Sequence, residues 1–335
     1  MKNIIWILFF ILLVSCKNER PQKYFFKGQA FGTTFSIQVY SINDIDLEKG
    51  IDSVFYKVNK SVSTYLPESD ISKINRGNTD IIVDDIFIDN FNISADVYKT
   101  TGGFFDPTIG VLRNAYGFGD TNPLQEIDSL ALDSMLKFVG FNKVKLTSEY
   151  KIEKQYPEIY IDFNAVAKGY GIDLIGKYLE SKGITNYLIE LGGEILAKGK
   201  NVEKNKSWLV GIENVTSNLN DRSYSNIIAL ENIAMATSGN YRKFRIDSLT
   251  GNKYVHTLNP ITGSAEKSDI TSVTVLAPTC ALADAYATAF MALGMEHSKV
   301  ILETLNGIDV YFTYNDQNNE EQVFATEGLK NKLLN

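Results

Sequence analysis

Five short segments gather side chains that can do chemistry. In Ala283-Asp284-Ala285-Tyr286-Ala287-Thr288, a carboxylate and a hydroxyl stand at i and i+4, which share one face of a helix. Their neighbours are nearly all small and apolar, so a buried Asp284 needs a partner. The pair makes half of an oxygen-rich cation site, and reads equally as a hydrogen-bonded Asp–Thr pair inside a packed helix. In His256-Thr257-Leu258-Asn259-Pro260-Ile261-Thr262-Gly263, an imidazole lies beside a Pro/Gly turn. Histidine is the side chain best suited to proton transfer near neutral pH. The other histidine, His297, falls in the polar stretch Glu296-His297-Ser298-Lys299 of a helix and reads as solvated surface.

The other three segments lie at joints between elements. Asp162-Phe163-Asn164-Ala165-Val166-Ala167-Lys168-Gly169-Tyr170-Gly171 runs from a strand into a helix. A helix N-terminus with Lys168 in its first turn suits a phosphate, while Asp162 or Asn164 as an ordinary N-cap explains the segment as well. Leu191-Gly192-Gly193-Glu194 lets a backbone approach something closely, or makes a plain tight turn. Ala236-Thr237-Ser238-Gly239-Asn240-Tyr241 reads as a hydroxyl-rich turn after a strand, either a polar loop or a cradle for anionic oxygens. Tyr65, in Ser63-Thr64-Tyr65-Leu66-Pro67, and Asp106, in Phe104-Phe105-Asp106-Pro107-Thr108, sit beside aromatic rings at turns, where rings more often plug cores than hold ligands.

Composition limits the chemistry. Two His and two Cys in 335 residues exclude a Cys-rich zinc site, an iron–sulfur cluster and a disulfide framework. A metal must therefore be held mainly by oxygen, which points to Mg²⁺ or Ca²⁺. With 33 Lys+Arg against 40 Asp+Glu, the net charge of -7 leaves no basic footprint for nucleic acid.

These segments need elements to hold them. Hydrophobic spacing predicts strands over 31–40, 143–146, 158–162, 187–191, 208–213, 227–230, 243–246, 272–277 and 309–314. It predicts helices over 46–61, 84–101, 130–139, 166–182, 282–293 and 295–305, with a hairpin loop at 247–252. With no internal repeat or linker, the expectation is an α+β body, as one unit or two lobes.

The N-terminus reads as an export signal. Lys2 precedes the apolar run Ile4 to Val14, too short to span a bilayer as a helix, and the run ends Leu13-Val14-Ser15-Cys16. This resembles a bacterial lipobox: residues 1–15 are cleaved and Cys16 is lipidated. Cleavage removes one lysine and no acid, leaving a net charge of -8 with Cys280 as the remaining thiol. Residues 16–29 then form a tether and 30–335 the folded domain.

In order along the chain, these segments resemble the ApbE family of flavin transferases, FAD:protein FMN transferase. The likeness runs from about Phe31 to about Gly307. It is carried by Gly32-Thr33-Thr34-Phe35, Ser63-Thr64-Tyr65 followed by Ser69 and Asn75, Thr101-Gly102-Gly103-Phe104-Phe105-Asp106-Pro107, and the five segments above. The resemblance implies a T-fold-like catalytic body of mixed sheets flanked by helices. It also implies Mg²⁺-dependent transfer of FMN from FAD to a Thr or Ser hydroxyl of an acceptor flavoprotein, with release of AMP. The competing readings are an FAD pyrophosphatase and a non-catalytic flavin-binding lipoprotein. By matched position, Asp284, Thr288 and the Ala165 carbonyl hold the metal, Tyr65 stacks on the flavin, and His256 is the base. Asp106, Asp162, Lys168, Gly193, Ser238 and Thr262 surround the nucleotide. The family context implies a periplasmic protein lipid-anchored to the membrane, with an acceptor in a membrane redox complex or another exported flavoprotein. Four positions depart from the family: Phe163 and Asn164 inside the Asp162 motif, Asn259 where Asp usually precedes Pro, and Phe31 in place of a Met.

Overall fold

The computed structural model describes residues 20–124, 127–214, 223–240, 244–246, 253–265 and 268–334. The signal, Cys16 and the 247–252 loop lie outside these residues. Along the chain come β1 (Gln22–Ala30), β2 (Thr33–Ser41), α1 (Glu48–Val62), α2 (Asp70–Asn75), α3 (Asp85–Thr100), α4 (Gly110–Tyr116) and α5 (Ser129–Leu136). Then follow β3 (Val144–Leu146), β4 (Ile152–Lys154), α6 (Ala167–Ser181), β5 (Tyr187–Leu191), β6 (Glu194–Lys198), β7 (Trp208–Glu213), β8 (Tyr224–Leu230) and β9 (Ile233–Gly239). The chain ends with β10 (Phe244–Ile246), β11 (Lys253–Val255), β12 (Ile270–Ala277), α7 (Cys280–Leu302), β13 (Asp309–Asn315), β14 (Glu321–Ala325), α8 (Glu327–Lys330) and β15 (Leu333–Leu334).

An eight-stranded sheet in the order β1-β2-β5-β6-β9-β12-β13-β14 draws on strands from both ends of the chain. Its named strand pairs are all antiparallel, where mixed sheets were expected. Alternation along each strand gives the sheet two faces. Phe35, Ile37 and Val39 of β2, with Ile189 and Leu191 of β5, pack on α1 and α6. α1 meets them with Ile51 and Phe55, which are buried at helical spacing. On the opposite face, Tyr40, Ile195, Met235 and Leu276 pack against Trp208, Ile212, Ile228 and Leu230 of the small sheet β15-β8-β7. The small sheet covers only part of that face, and the uncovered part is a cleft.

The structure redraws three expectations. β1 occupies most of the stretch assigned to a tether, because Tyr24 and Phe26 alternate inward and pack on the core behind β2. Residues 158–162 form no ladder beyond an isolated bridge between Ile109 and Tyr160. There the Asn75 side chain takes the place of a strand partner, donating to Ile161 O and accepting from Ile161 N–H, each at 2.8 Å. Thr237 and Ser238 lie within β9, not in a turn. The break expected between 282–293 and 295–305 is Gly294 alone, which interrupts α7 with φ +75°, while Met295 N–H is capped by Asp269 at 3.0 Å.

Candidate active site

The cleft has a volume of about 750 Å³. It brings together Asp106, Asp162, Ala165, Lys168, Gly193, Ser238, His256, Asp284 and Thr288 from positions spread over some 180 residues of chain. A separate concavity of about 610 Å³ beside Gly77, Thr147 and Lys151 contains none of them.

The crossing of α6 and α7 builds the centre. A Cβ on Gly169 would stand 2.3 Å from Cys280 O, so glycine is what lets the two helices meet at this distance. The Asp173 carboxylate of α6 accepts from Cys280 N–H at 2.8 Å and Ala281 N–H at 2.9 Å, tying down the start of α7. Burial pushes Asp173 up to about 6 while these two bonds pull the other way. In return α7 caps α6: Gly169 N–H donates to Asp284 Oδ2 at 3.1 Å. The N-cap of α6 is Val166, which makes no side-chain cap, so neither Asp162 nor Asn164 fills the N-cap role. A carboxylate at a helix N-terminus is favoured by the free N–H groups and the dipole.

Asp284 is buried, and burial together with the nearby Glu194 charge raises its pKa well above the ordinary carboxylate range. Lys168 Nζ lies 2.6 Å from Glu194 Oε2. Burial opposes the Lys168 charge, but Glu194 and Asp284 outweigh it and hold the ammonium protonated. Lys168 thus reaches the cleft already paired. Its partner comes from the Gly192-Gly193 turn, where φ values of +63° and +109° require glycine and Gly193 N–H donates to Glu190 Oε1 at 3.0 Å.

The remaining acids are held by the scaffold. Asp106 Oδ1 accepts from Thr108 N–H at 2.8 Å and Thr108 Oγ at 2.6 Å, and Oδ2 from Phe141 N–H at 3.2 Å. Burial pushes it up to about 6 despite those bonds. Asp162 pairs with Arg113 and accepts from Asn164 N–H at 2.7 Å. Both carboxylates are therefore committed to protein groups. Thr237 Oγ pairs across the sheet with Thr274 Oγ at 2.8 Å, leaving Ser238 beside it on the cleft wall.

His256 is half-buried on the wall of the cleft. Asn259 Oδ1 accepts from Ile261 N–H at 2.9 Å and Thr262 N–H at 3.2 Å, so the amide organises the turn that follows His256 without a carboxylate. Thr262 is exposed and belongs to that turn, not to the cleft lining. Tyr65 is 60% exposed and also stands outside the lining. Its neighbour Thr64 accepts from wall residue Asn164 at 3.4 Å, which ties the Tyr65 loop to the rim. Phe31 turns at the tip of the β1–β2 hairpin and packs edge-on against Phe55. His297 is exposed and stacks on Phe104, a cleft residue.

The donor set suits a hard cation. Asp284 Oδ1 and Thr288 Oγ take part in no hydrogen bond with the described residues, and the Ala165 segment lines the same space. Among those residues no group of three or more His, Cys, Asp or Glu forms a metal cage. One carboxylate with a hydroxyl and a carbonyl matches the way Mg²⁺ is held jointly by protein and substrate phosphates. Sequence reasoning missed Asp173 and Arg113, and left Glu194 without a role. Only Glu194 carried a local signal, its place after two glycines.

Known proteins share this architecture. An FAD:protein FMN transferase of Haemophilus influenzae is 31% identical over 330 residues, covering 95% of this chain and 94% of the relative. One from Vibrio cholerae is 32% identical over 305 residues, 88% of each chain. The solved flavin transferase ApbE from Vibrio cholerae superposes with a TM-score of 0.83 at 30% identity, over 93% of this chain and all of that one. The ApbE protein of Thermotoga maritima gives 0.81 at 25% identity, over 94% and 100%. With the ApbE family model matched across residues 31–312 as well, the chain belongs to the ApbE family.

Proposed function

We propose that the protein is an FAD:protein FMN transferase that uses Mg²⁺ and passes FMN to a Thr or Ser hydroxyl of an acceptor flavoprotein, releasing AMP. The observation that carries this is the meeting of Asp284, Thr288, Ala165 and His256 in one cleft. Mg²⁺ held by Asp284, Thr288 and the Ala165 carbonyl would neutralise the pyrophosphate and charge developing on it. His256 takes the proton of the acceptor hydroxyl. The hydroxyl oxygen bonds to the FMN phosphorus, and the P–O–P bond breaks with its electron pair leaving on AMP. Lys168, fixed by Glu194, supplies a positive charge on the wall.

The same reading covers the location. Cys16 anchors the chain by lipid on the periplasmic side of the bacterial envelope, close to acceptors in membrane redox complexes or among exported flavoproteins. Among the described residues no helix is long and apolar enough to cross a membrane. Incubation of residues 17–335 with FAD and Mg²⁺, with and without acceptor, tests the chemistry by AMP release and acid-stable flavin on the acceptor. AMP without flavin on any acceptor marks a pyrophosphatase, and bound FAD without AMP marks a binding protein. Radiolabelled lipid on Cys16, lost in Cys16→Ala, tests the anchor.

A further inference from the structure

The small sheet ends on β7, and no described strand pairs with the far edge of that strand. The register shows which groups that edge offers. Ala229 of β8 donates its N–H to Lys332 O, so its backbone polar groups point toward β15 and away from β7. Opposed residues of an antiparallel pair are either bonded to each other or both turned outward. Leu209 lies opposite Ala229, and Gly211 lies opposite Ile227, two residues away in the same phase. Leu209 and Gly211 therefore direct their N–H and C=O groups to the unpaired edge. Both residues line the cleft that contains His256 and Asp284, and Leu209 is 50% exposed.

An edge with unpaired N–H and C=O groups is a template for another strand. We propose that the β7 edge receives the segment of the acceptor protein that carries the target hydroxyl, added as an extended strand along Leu209–Gly211. The proposal rests on the transferase reading, because hydrolysis by water needs no such edge while transfer to a protein needs a chain segment inside the cleft. Main-chain pairing fixes the depth and direction of that segment. Alternate side chains of an added strand face one side, and the uncovered sheet face beside the edge presents Thr34, Ser36 and Glu190. Those groups favour small polar side chains around the target hydroxyl.

Leu209→Pro removes the outward N–H without touching the β7–β8 ladder, the position where an edge strand tolerates proline. Leu209→Ala keeps the N–H and removes the side chain. The probe is a carrier protein bearing a Thr within a short, exposed Asp/Ser/Thr/Ala-rich stretch. Loss of one hydrogen bond raises the KM for this probe roughly tenfold in Leu209→Pro. The Tm stays near wild type in both variants, any change in the Kd for FAD is the same in the two, and Leu209→Ala raises the KM far less than Leu209→Pro. An unchanged KM in Leu209→Pro, or the same rise in Leu209→Ala, overturns the proposal. Wild-type release of AMP with no flavin on the probe overturns the transferase reading itself.

Discussion

Gly169→Ala tests whether the helix crossing sets the chemistry. The added Cβ would stand 2.3 Å from Cys280 O, 2.6 Å from its carbonyl carbon and 2.8 Å from Ala281 N. All three are backbone atoms at the start of α7, so no side chain can swing aside. Restoring ordinary contact requires α6 and α7 to separate by about 1 Å. Alanine gains about 1 kcal/mol in helix propensity, while overpacking a tight interior costs about 1–3 kcal/mol. The net loss of stability is therefore modest, about 0–2 kcal/mol. Activity is hit harder, because the same shift pulls Asp284 from the Gly169 N–H that caps α6 and moves it relative to Ala165. A 1 Å displacement of a reacting group costs on the order of 100-fold in rate. Thermal unfolding combined with kcat/KM for AMP release across a Mg²⁺ titration separates the two effects. The expected outcome is a small fall in Tm, a rate loss on the order of 100-fold and a weaker Mg²⁺ response. Wild-type rate and Mg²⁺ dependence in a folded Gly169→Ala protein would refute the claim that this crossing positions the site.

Three further outcomes follow from the same geometry. Asp284→Ala abolishes Mg²⁺-dependent AMP release, and calorimetric Mg²⁺ binding equal to wild type would remove Asp284 from the metal site. His256→Ala slows transfer by roughly 10²–10⁴ while FAD affinity changes little; equal losses in both would argue against a base. Asp106 and Asp173 have native pKa values of about 6, raised by burial above the ordinary 3.8. The folded chain holds these protons more tightly than the unfolded one. The unfolding free energy therefore falls as pH rises from about 4 to about 6, by at most roughly 3 kcal/mol per group, and the contribution is flat above that. Denaturant titrations at several pH values show this as a slope that Asp173→Asn makes shallower, and an unchanged slope would count against it.

What was legible in the sequence depended on range. The break at Gly294 and the amphipathic face of α1 are local, and pattern alone placed both. β1 was missed because its inward residues, Tyr24 and Phe26, sit among the outward Lys23, Phe25 and Lys27, so the stretch shows no clean apolar alternation until β2 pairs with it. The 158–162 run has the composition of a strand, yet Asn75 satisfies its backbone from more than 80 residues away. Within the site, types and spacings exposed Asp284, Thr288 and His256. Asp173 stayed hidden, since a lone carboxylate on a helix shows its purpose only when Cys280 and Ala281, over 100 residues later, present their N–H groups to it.

The cleft also explains how an acidic wall can serve an anionic dinucleotide. Asp106, Asp162, Glu190, Glu194, Glu213 and Asp284 all line it. Left free, these carboxylates would repel a pyrophosphate. The fold spends four of them on its own groups: Asp106 on Thr108 and Phe141, Asp162 on Arg113, Glu190 on Gly193, and Glu194 on Lys168. Asp284 differs, because one oxygen caps α6 while the other accepts nothing from the described residues. Burial makes that oxygen costly to charge alone. A cation beside Thr288 relieves that cost and the repulsion of the incoming phosphates together, so metal and nucleotide should bind cooperatively. FAD affinity measured with and without Mg²⁺ checks this. Tighter binding with Mg²⁺ in wild type, with the difference erased in Asp284→Ala, is the expected result. Equal FAD affinity in both conditions would break the link between the buried carboxylate and the substrate.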